Sequence, residues 1–277
     1  MSLTFKHCRL LLLFTGFLSC APSQWDPEID AVMRHRTKPH IRASIHGKSQ
    51  ASLENGSRLK ISVDRAIPAE SDQLTSSPSI VLRDNSHVRK FVKLYTGKQK
   101  KDLEVPLFRY DEYKPLMERV FDYYNLPQEL SNVAIVESKF NTEAVSEDGA
   151  VGIWQFMRPT AENLGLRCSF WNDERKDVLR STIAAAKYLS ELNERFGDWL
   201  LALAAYNAGP NRVASAIEKA GGERDFYKLA SLNLLPRETV NHVSKFIAIT
   251  MITKNPDLYR ITTASQEDLL GDRPLVD

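Results

Sequence analysis

Residues 177–210 read DVLRSTIAAAKYLSELNERFGDWLLALAAYNAGP. Leu179, Ile183, Ala186, Leu189, Leu192 and Phe196 recur at helical spacing and form one apolar stripe. This helix is expected to run from Asp177 to Phe196, with Gly197 as its C-terminal cap. Asp198 then caps a second helix from Trp199 to Tyr206, and Pro210, suited to a first helical turn, opens a third that ends at Gly221-Gly222. The same pattern continues outward. Val88, Phe91, Val92 and Tyr95 share a face before Thr96-Gly97. Leu116, Val120, Phe121 and Tyr124 do so between Asp111 and Asn125-Leu126-Pro127. A short helix over Pro159–Leu164 closes at Gly165, and Pro236 opens a last one running to about Thr253. No alternating run of strand length occurs, so the expected fold class is all-α.

The 277 residues are 43% hydrophobic and 26% charged, enough for one sizeable domain with extensions. Lys6, His7 and Arg9 precede the apolar Leu10–Leu18 stretch, and Ser19-Cys20 follows, which is the pattern of a secretory signal peptide over residues 1–20. Cys20 in that position resembles a bacterial lipobox, although Phe17-Leu18-Ser19 lacks the small residue two before the Cys; cleavage near Ala21 is the plain alternative. Export to the periplasm or cell envelope, as a lipoprotein lipidated on Cys20 and held at the membrane, is the expectation. Residues 21–84 are polar and basic, without sustained periodicity, and read as a disordered linker. Residues 85–255 carry the helical domain and 256–277 a polar tail. His35, His40 and His46 in the linker suit no common metal motif, so no metal is expected. Cys168, left alone once Cys8 and Cys20 are set aside, reads as a small buried hydrophobe. Removal of residues 1–19 takes away Lys6 and Arg9 and no acid, so the formal +2 charge falls to zero, which gives no sign of a nucleic-acid partner.

Candidate chemistry begins at Glu137. If Leu130–Glu137 is helical, Leu130, Val133, Ala134 and Glu137 share a face, and the carboxyl group lies in a row that should meet the core. A carboxyl group in such a place costs less when protonated or partnered, and a protonated one can hand its proton to a leaving group. Downstream, Asp148-Gly149 and Gly152 permit tight bends that can bring Gln155 back toward Glu137. Gln155 offers an amide, while Trp154, Phe156 and Met157 offer apolar surface, the mixture a sugar-binding cleft needs; Trp154 itself reads as core. Tyr206 and Asn207 sit at a helix end, where the Tyr hydroxyl could reach a groove.

Glu137-Ser138, then Gly152-Ile153-Trp154-Gln155-Phe156-Met157, then Ala205-Tyr206-Asn207-Ala208-Gly209 resemble, in order and spacing, the three motifs of the soluble-lytic-transglycosylase (goose-lysozyme-like) family. The Trp-Gln-Phe-Met variant, the Phe91–Gly97 stretch and Leu235-Pro236-Arg237-Glu238-Thr239 resemble its membrane-bound lytic transglycosylase D branch. The likeness implies a lysozyme-like domain of roughly eight to ten helices. It also implies cleavage of the β-1,4 bond between N-acetylmuramic acid (MurNAc) and N-acetylglucosamine (GlcNAc) in peptidoglycan, which leaves 1,6-anhydro-MurNAc ends. Glu137 would then be the single general acid and base, and Ser138, Gln155, Met157, Tyr206 and Asn207 would line the saccharide cleft, with no cofactor. Such enzymes usually carry an Arg and a Tyr where this chain has Val240 and His242, which makes His242 an auxiliary site residue. Two other outcomes stay open: a hydrolytic muramidase using Glu143, Glu147 or Asp148 as second carboxylate, and a non-catalytic peptidoglycan-binding scaffold.

Overall fold

The computed structural model describes residues 27–35 and 80–261. In chain order its helices are α1 (Pro27–Arg34), α2 (Ser86–Tyr95), α3 (Lys101–Tyr123), α4 (Asn132–Ser138), α5 (Arg158–Asn163), α6 (Val178–Phe196), α7 (Trp199–Ala208), α8 (Pro210–Lys219), α9 (Phe226–Ser231), α10 (Arg237–Lys254) and α11 (Pro256–Tyr259). A single turn of 3-10 helix, Gln128–Ser131, leads into α4. Among the described residues, backbone pairing of the β kind is confined to isolated bridges, and the all-α expectation holds. Nine of these helices, α2 to α10, fall within the expected domain.

Helix ends follow side-chain chemistry. Asn85, Asp177 and Asp198 accept hydrogen bonds from the backbone N–H groups of Val88, Arg180 and Leu201 at 2.8–3.0 Å, satisfying donors that the first turn leaves unpaired. Gly197, at φ +73°, closes α6 with its N–H on the Asn193 carbonyl.

Burial then selects the centre. Leu200 to Ala205 of α7 are all buried, because this helix is apolar on every side and is surrounded by α6, α8, α9 and α10. α10 buries Val243, Phe246, Ile247, Ala248, Ile249 and Ile252 and packs on α2, α4 and α7. Leu130, Val133 and Ala134 are fully buried, which puts the next member of their row, Glu137, at the edge of this core.

Three local features depart from the sequence reading. α3 begins at Lys101 rather than near Asp111 and runs through Pro106 and Pro115; burial of Leu103, Pro106 and Leu107 outweighs the lost backbone bonds. α9 forms although its six residues are too few to show a period; Asp225 caps it, and Phe226 and Leu229 are buried. Within the stretch expected as linker, α1 docks on the domain. Val32 is fully buried, and Glu28 pairs with Lys187 at 2.5 Å and accepts from the Tyr124 hydroxyl. Eight residues are marginal as an isolated helix, so docking is what stabilises it. The expected signal segment, the linker apart from residues 27–35 and 80–84, and most of the tail lie outside the described residues.

Residues 144–157 fold into a doubled turn: Gly152 N–H reaches the Ala144 carbonyl at 2.9 Å, and Val151 and Phe156 exchange both backbone bonds. Residues 167–175 form a neighbouring hairpin, with Ser169 and Asn172 paired near its tip. Arg175, buried, locks the two together. Its Nε and Nη2 donate to Asp173, and its Nη1 donates to the carbonyls of Gly149 and Phe156 at 3.1 and 3.0 Å. Gly152 has φ +80°, and a Cβ there would lie 1.9 Å from the Arg175 carbonyl oxygen. Replacing Gly152 with Ala combines a strained backbone with overpacking and is expected to cost about 2–4 kcal/mol. Urea unfolding of Gly152→Ala beside the parent checks this; an unchanged midpoint would refute the close approach.

Candidate active site

Glu137 sits in the last turn of α4, which ends at Lys139 in the left-handed conformation. Its side chain is 15% exposed, and Oε1 lies 2.8 Å from Nε2 of His242, whose side chain is 8% exposed in α10. Among the described residues, Oε2 bonds to no protein group. Nδ1 of His242 is buried without a partner. A neutral imidazole carries one N–H, and an orphaned N–H is costlier to bury than an orphaned lone pair when the other nitrogen has an acceptor at hand. The arrangement therefore favours the proton on Nε2, donated to Oε1. An acid proton on Glu137 then belongs on Oε2.

Tyr206, near the end of α7, donates to the Trp154 carbonyl at 2.6 Å and packs against Phe156 and Tyr188. Burial, with the Glu137 carboxylate and Tyr188 adding to it, pushes the phenol well above its usual range, so it remains a donor. Ser138 is also tied to the doubled turn: its hydroxyl lies 3.0 Å from the Ile153 carbonyl and 3.1 Å from that of Ala134, which compete for its one proton. Gln155, at φ +50°, turns its amide N–H groups back onto the carbonyls of Gly152 (2.8 Å) and Ala144 (3.4 Å). Its backbone and amide thus shape the turn, with no hydrogen bond to Glu137. Asn207 accepts from Thr239 Oγ1 at 2.8 Å, which joins the end of α7 to the first turn of α10. Met157 precedes α5 and is 42% exposed.

The motif residues are thus brought together, but their hydrogen bonds go mainly into holding turns in place around Glu137. Trp154 is fully buried and donates to Thr182, as core. Glu143, Glu147 and Asp148 are exposed, and Glu143 pairs with Lys176 at 2.6 Å. Cys168 is buried, and burial pushes its thiol up. Tyr188, Thr239 and Arg175 were given no role from sequence. Thr239 lay in the Pro-Arg-Glu-Thr segment and could have been flagged; the other two carried no local signal. Among the described residues no three His, Cys, Asp or Glu side chains gather as metal ligands. No described helix is long and apolar enough to cross a membrane.

Comparison with known proteins bears on this arrangement. Over 148 residues the chain is 42% identical to membrane-bound lytic murein transglycosylase D of Escherichia coli (strain K12), a match covering 52% of this chain and 32% of that protein. It is 34% identical over 134 residues to peptidoglycan transglycosylase gp16 of Escherichia phage T7, covering 47% of this chain and 10% of that protein. The lytic transglycosylase Slt of Pseudomonas aeruginosa is a structural neighbour with TM-score 0.43 and 22% identity, covering 56% of this chain and 26% of that one. The chain spans about a third or less of these relatives' own lengths. The family model for the Transglycosylase SLT domain matches residues 118–228, from the end of α3 into α9, and so takes in Glu137, the doubled turn and Tyr206 while leaving His242 outside. Motif order, helical architecture and the family match agree: residues 118–228 of this chain are similar to the transglycosylase SLT domain.

Proposed function

We propose that this chain is a peptidoglycan lytic transglycosylase in which Glu137 is the single general acid and base. The observation that carries the reading is the half-sheltered Glu137 carboxyl group: one oxygen is held by His242, the other has no protein partner, and both lie inside an SLT domain. In the first step Glu137 gives its proton to the glycosidic oxygen as the bond from muramyl C1 to that oxygen breaks, and GlcNAc leaves with a free 4-hydroxyl. The neighbouring N-acetyl group shelters the cationic C1. Glu137, now a carboxylate, removes the proton of the muramyl C6 hydroxyl as its oxygen bonds to C1. The acid is regenerated, the anhydro ring closes, and no water is consumed. A second carboxylate is unnecessary in this scheme, unlike ordinary glycosidases. The exposure of Glu143, Glu147 and Asp148 supports that economy over the muramidase alternative. Gln155, Met157, Asn207 and Ser138 border the cleft in this reading. Delivery to the cell envelope by the 1–20 segment, with lipid on Cys20, a linker to residue 84 and a catalytic unit over 85–255, belongs to the same proposal.

The wild-type chain is expected to release muropeptides with anhydro-muramyl ends from purified sacculi, lighter by one water than hydrolysed ends. Glu137→Gln should lower the rate by roughly 10²- to 10⁴-fold. Mass spectrometry of the soluble products decides: reducing ends would move the assignment to a hydrolase, and bound sacculi without product would move it to a scaffold.

His242 acts through Glu137 as a positioning residue. His242→Phe is expected to lower kcat roughly 10²-fold with KM nearly unchanged, and His242→Gln, which keeps an N–H donor, should recover part of the loss. Equal rates for the Phe and Gln variants would show that the hydrogen bond to Oε1 has no part in turnover.

Tyr206→Phe keeps the ring contacts with Phe156 and Tyr188 and loses the bond to Trp154. It should cost about 1 kcal/mol in urea unfolding and slow the reaction by loosening the turn beside Glu137. Wild-type stability and rate together would refute this role.

A further inference from the structure

The hairpin over residues 167–175 ends in two adjacent aromatic side chains with almost no protein around them. Phe170 is 91% exposed and Trp171 is 92% exposed, and their rings meet edge to face with centroids 5.1 Å apart. Large aromatic side chains gain more from burial than most others, so two left side by side in water forgo stabilisation that a folded loop could have taken. The loop is not slack. Ser169 and Asn172 bond across the tip at 3.0 Å, and Cys168 and Asp173 form a bridge beneath them. Below that, Arg167 grips the buried Glu174 through its guanidinium at 2.6 and 2.8 Å and through its backbone N–H at 2.8 Å. Burial alone would raise Glu174, but the Arg167 hydrogen bonds outweigh it and hold the carboxyl below its usual range.

The base of the hairpin is also the partner of the doubled turn. Arg175 holds the Gly149 and Phe156 carbonyls, so the aromatic tip and the turn carrying Gln155 and Met157 are parts of one braced unit. The basic side chains around it each have an acidic partner. Arg158 pairs with Glu162, Arg167 and Arg180 with Glu174, Arg175 with Asp173, and Lys176 with Glu143. A surface whose basic side chains are already ion-paired offers little to an anionic lipid headgroup, which calls for uncompensated basic residues. Flat aromatic faces carried on a braced loop suit the apolar C–H face of a pyranose ring.

We propose that Phe170 and Trp171 form an accessory platform for a glycan strand, away from the bond being cut but braced to the turn beside Glu137. The platform rests on the reading of the Glu137 substrate as a peptidoglycan glycan. It would raise the affinity for long strands without touching the reacting atoms.

The test is co-sedimentation with purified sacculi, using the full chain carrying Glu137→Gln to stop turnover, with and without Phe170→Ala plus Trp171→Ala. Both side chains are exposed, so the pair should leave the unfolding midpoint unchanged. Apparent affinity for sacculi should fall about tenfold. In the chain with Glu137 intact, the pair should slow release from sacculi while leaving turnover of a short soluble muropeptide tetrasaccharide unchanged. Anhydro product with sacculus affinity equal in the two chains would overturn the platform alone. Loss of binding to lipid vesicles, with sacculus binding intact, would replace the glycan with a membrane as occupant. Neither product nor sacculus binding from any version would overturn the proposed function, and the platform with it.

Discussion

A guanidinium shut away from water must place its N–H groups on acceptors inside the protein, and the way Arg175 does so governs the ground around Glu137. Asp173 takes two donors, and the Gly149 and Phe156 carbonyls share a third. Asp173 is held below its usual range by those bonds, the largest influence on it, against some opposition from burial. Breaking such a pair would strand a buried charge, at a cost of about 3–5 kcal/mol. That cost keeps the doubled turn and the hairpin in one register. It also explains Gly152, whose missing Cβ lets the turn pass against the Arg175 carbonyl. With the turn fixed, the Ile153 and Trp154 carbonyls are in place for Ser138 and Tyr206, which tie it to the ends of α4 and α7.

The helices supply the complementary constraint. α7 can be apolar all round only because it is enclosed, and its end at Tyr206-Asn207 emerges beside the first turns of α10. α10 carries its own buried face against α4, so His242 arrives opposite Glu137 without help from loop flexibility. The carboxyl group is thus shielded by core packing behind it and held by a single hydrogen bond in front. A general acid needs both shelter and an oxygen that remains available to a leaving group.

Much of this was legible in the sequence, for physical reasons. Caps such as Gly197 and Asp198 act through neighbouring backbone groups, so they can be read locally, and they fell at the end of α6 and the start of α7. The row Leu130, Val133, Ala134, Glu137 was readable because helical periodicity needs no knowledge of the partner element. Docking is different. α1 and α9 are too short to show a period, and their stability comes from residues distant in sequence, such as Lys187 and Tyr124 for α1. The same holds within the site. Sequence pointed to Ser138 and Gln155 as groups facing a sugar, whereas their polar atoms are largely engaged in shaping the turn. Arg175, on which that turn depends, looked like any other charge in a polar stretch, because its acceptors lie up to 26 residues away.

His242 is where local chemistry and family pattern pull apart. A Tyr hydroxyl at that place could offer a donor and keep an acceptor free. An imidazole offers one N–H in its neutral form and here has no second partner, since Nδ1 is buried and unsatisfied. The same geometry that deprives His242 of a second hydrogen bond leaves its one N–H directed at Oε1, with Oε2 free of protein partners among the described residues. On this argument the departure from the usual Tyr preserves the contact itself, because an imidazole N–H in α10 reaches the Glu137 carboxyl group where a Tyr O–H would otherwise stand.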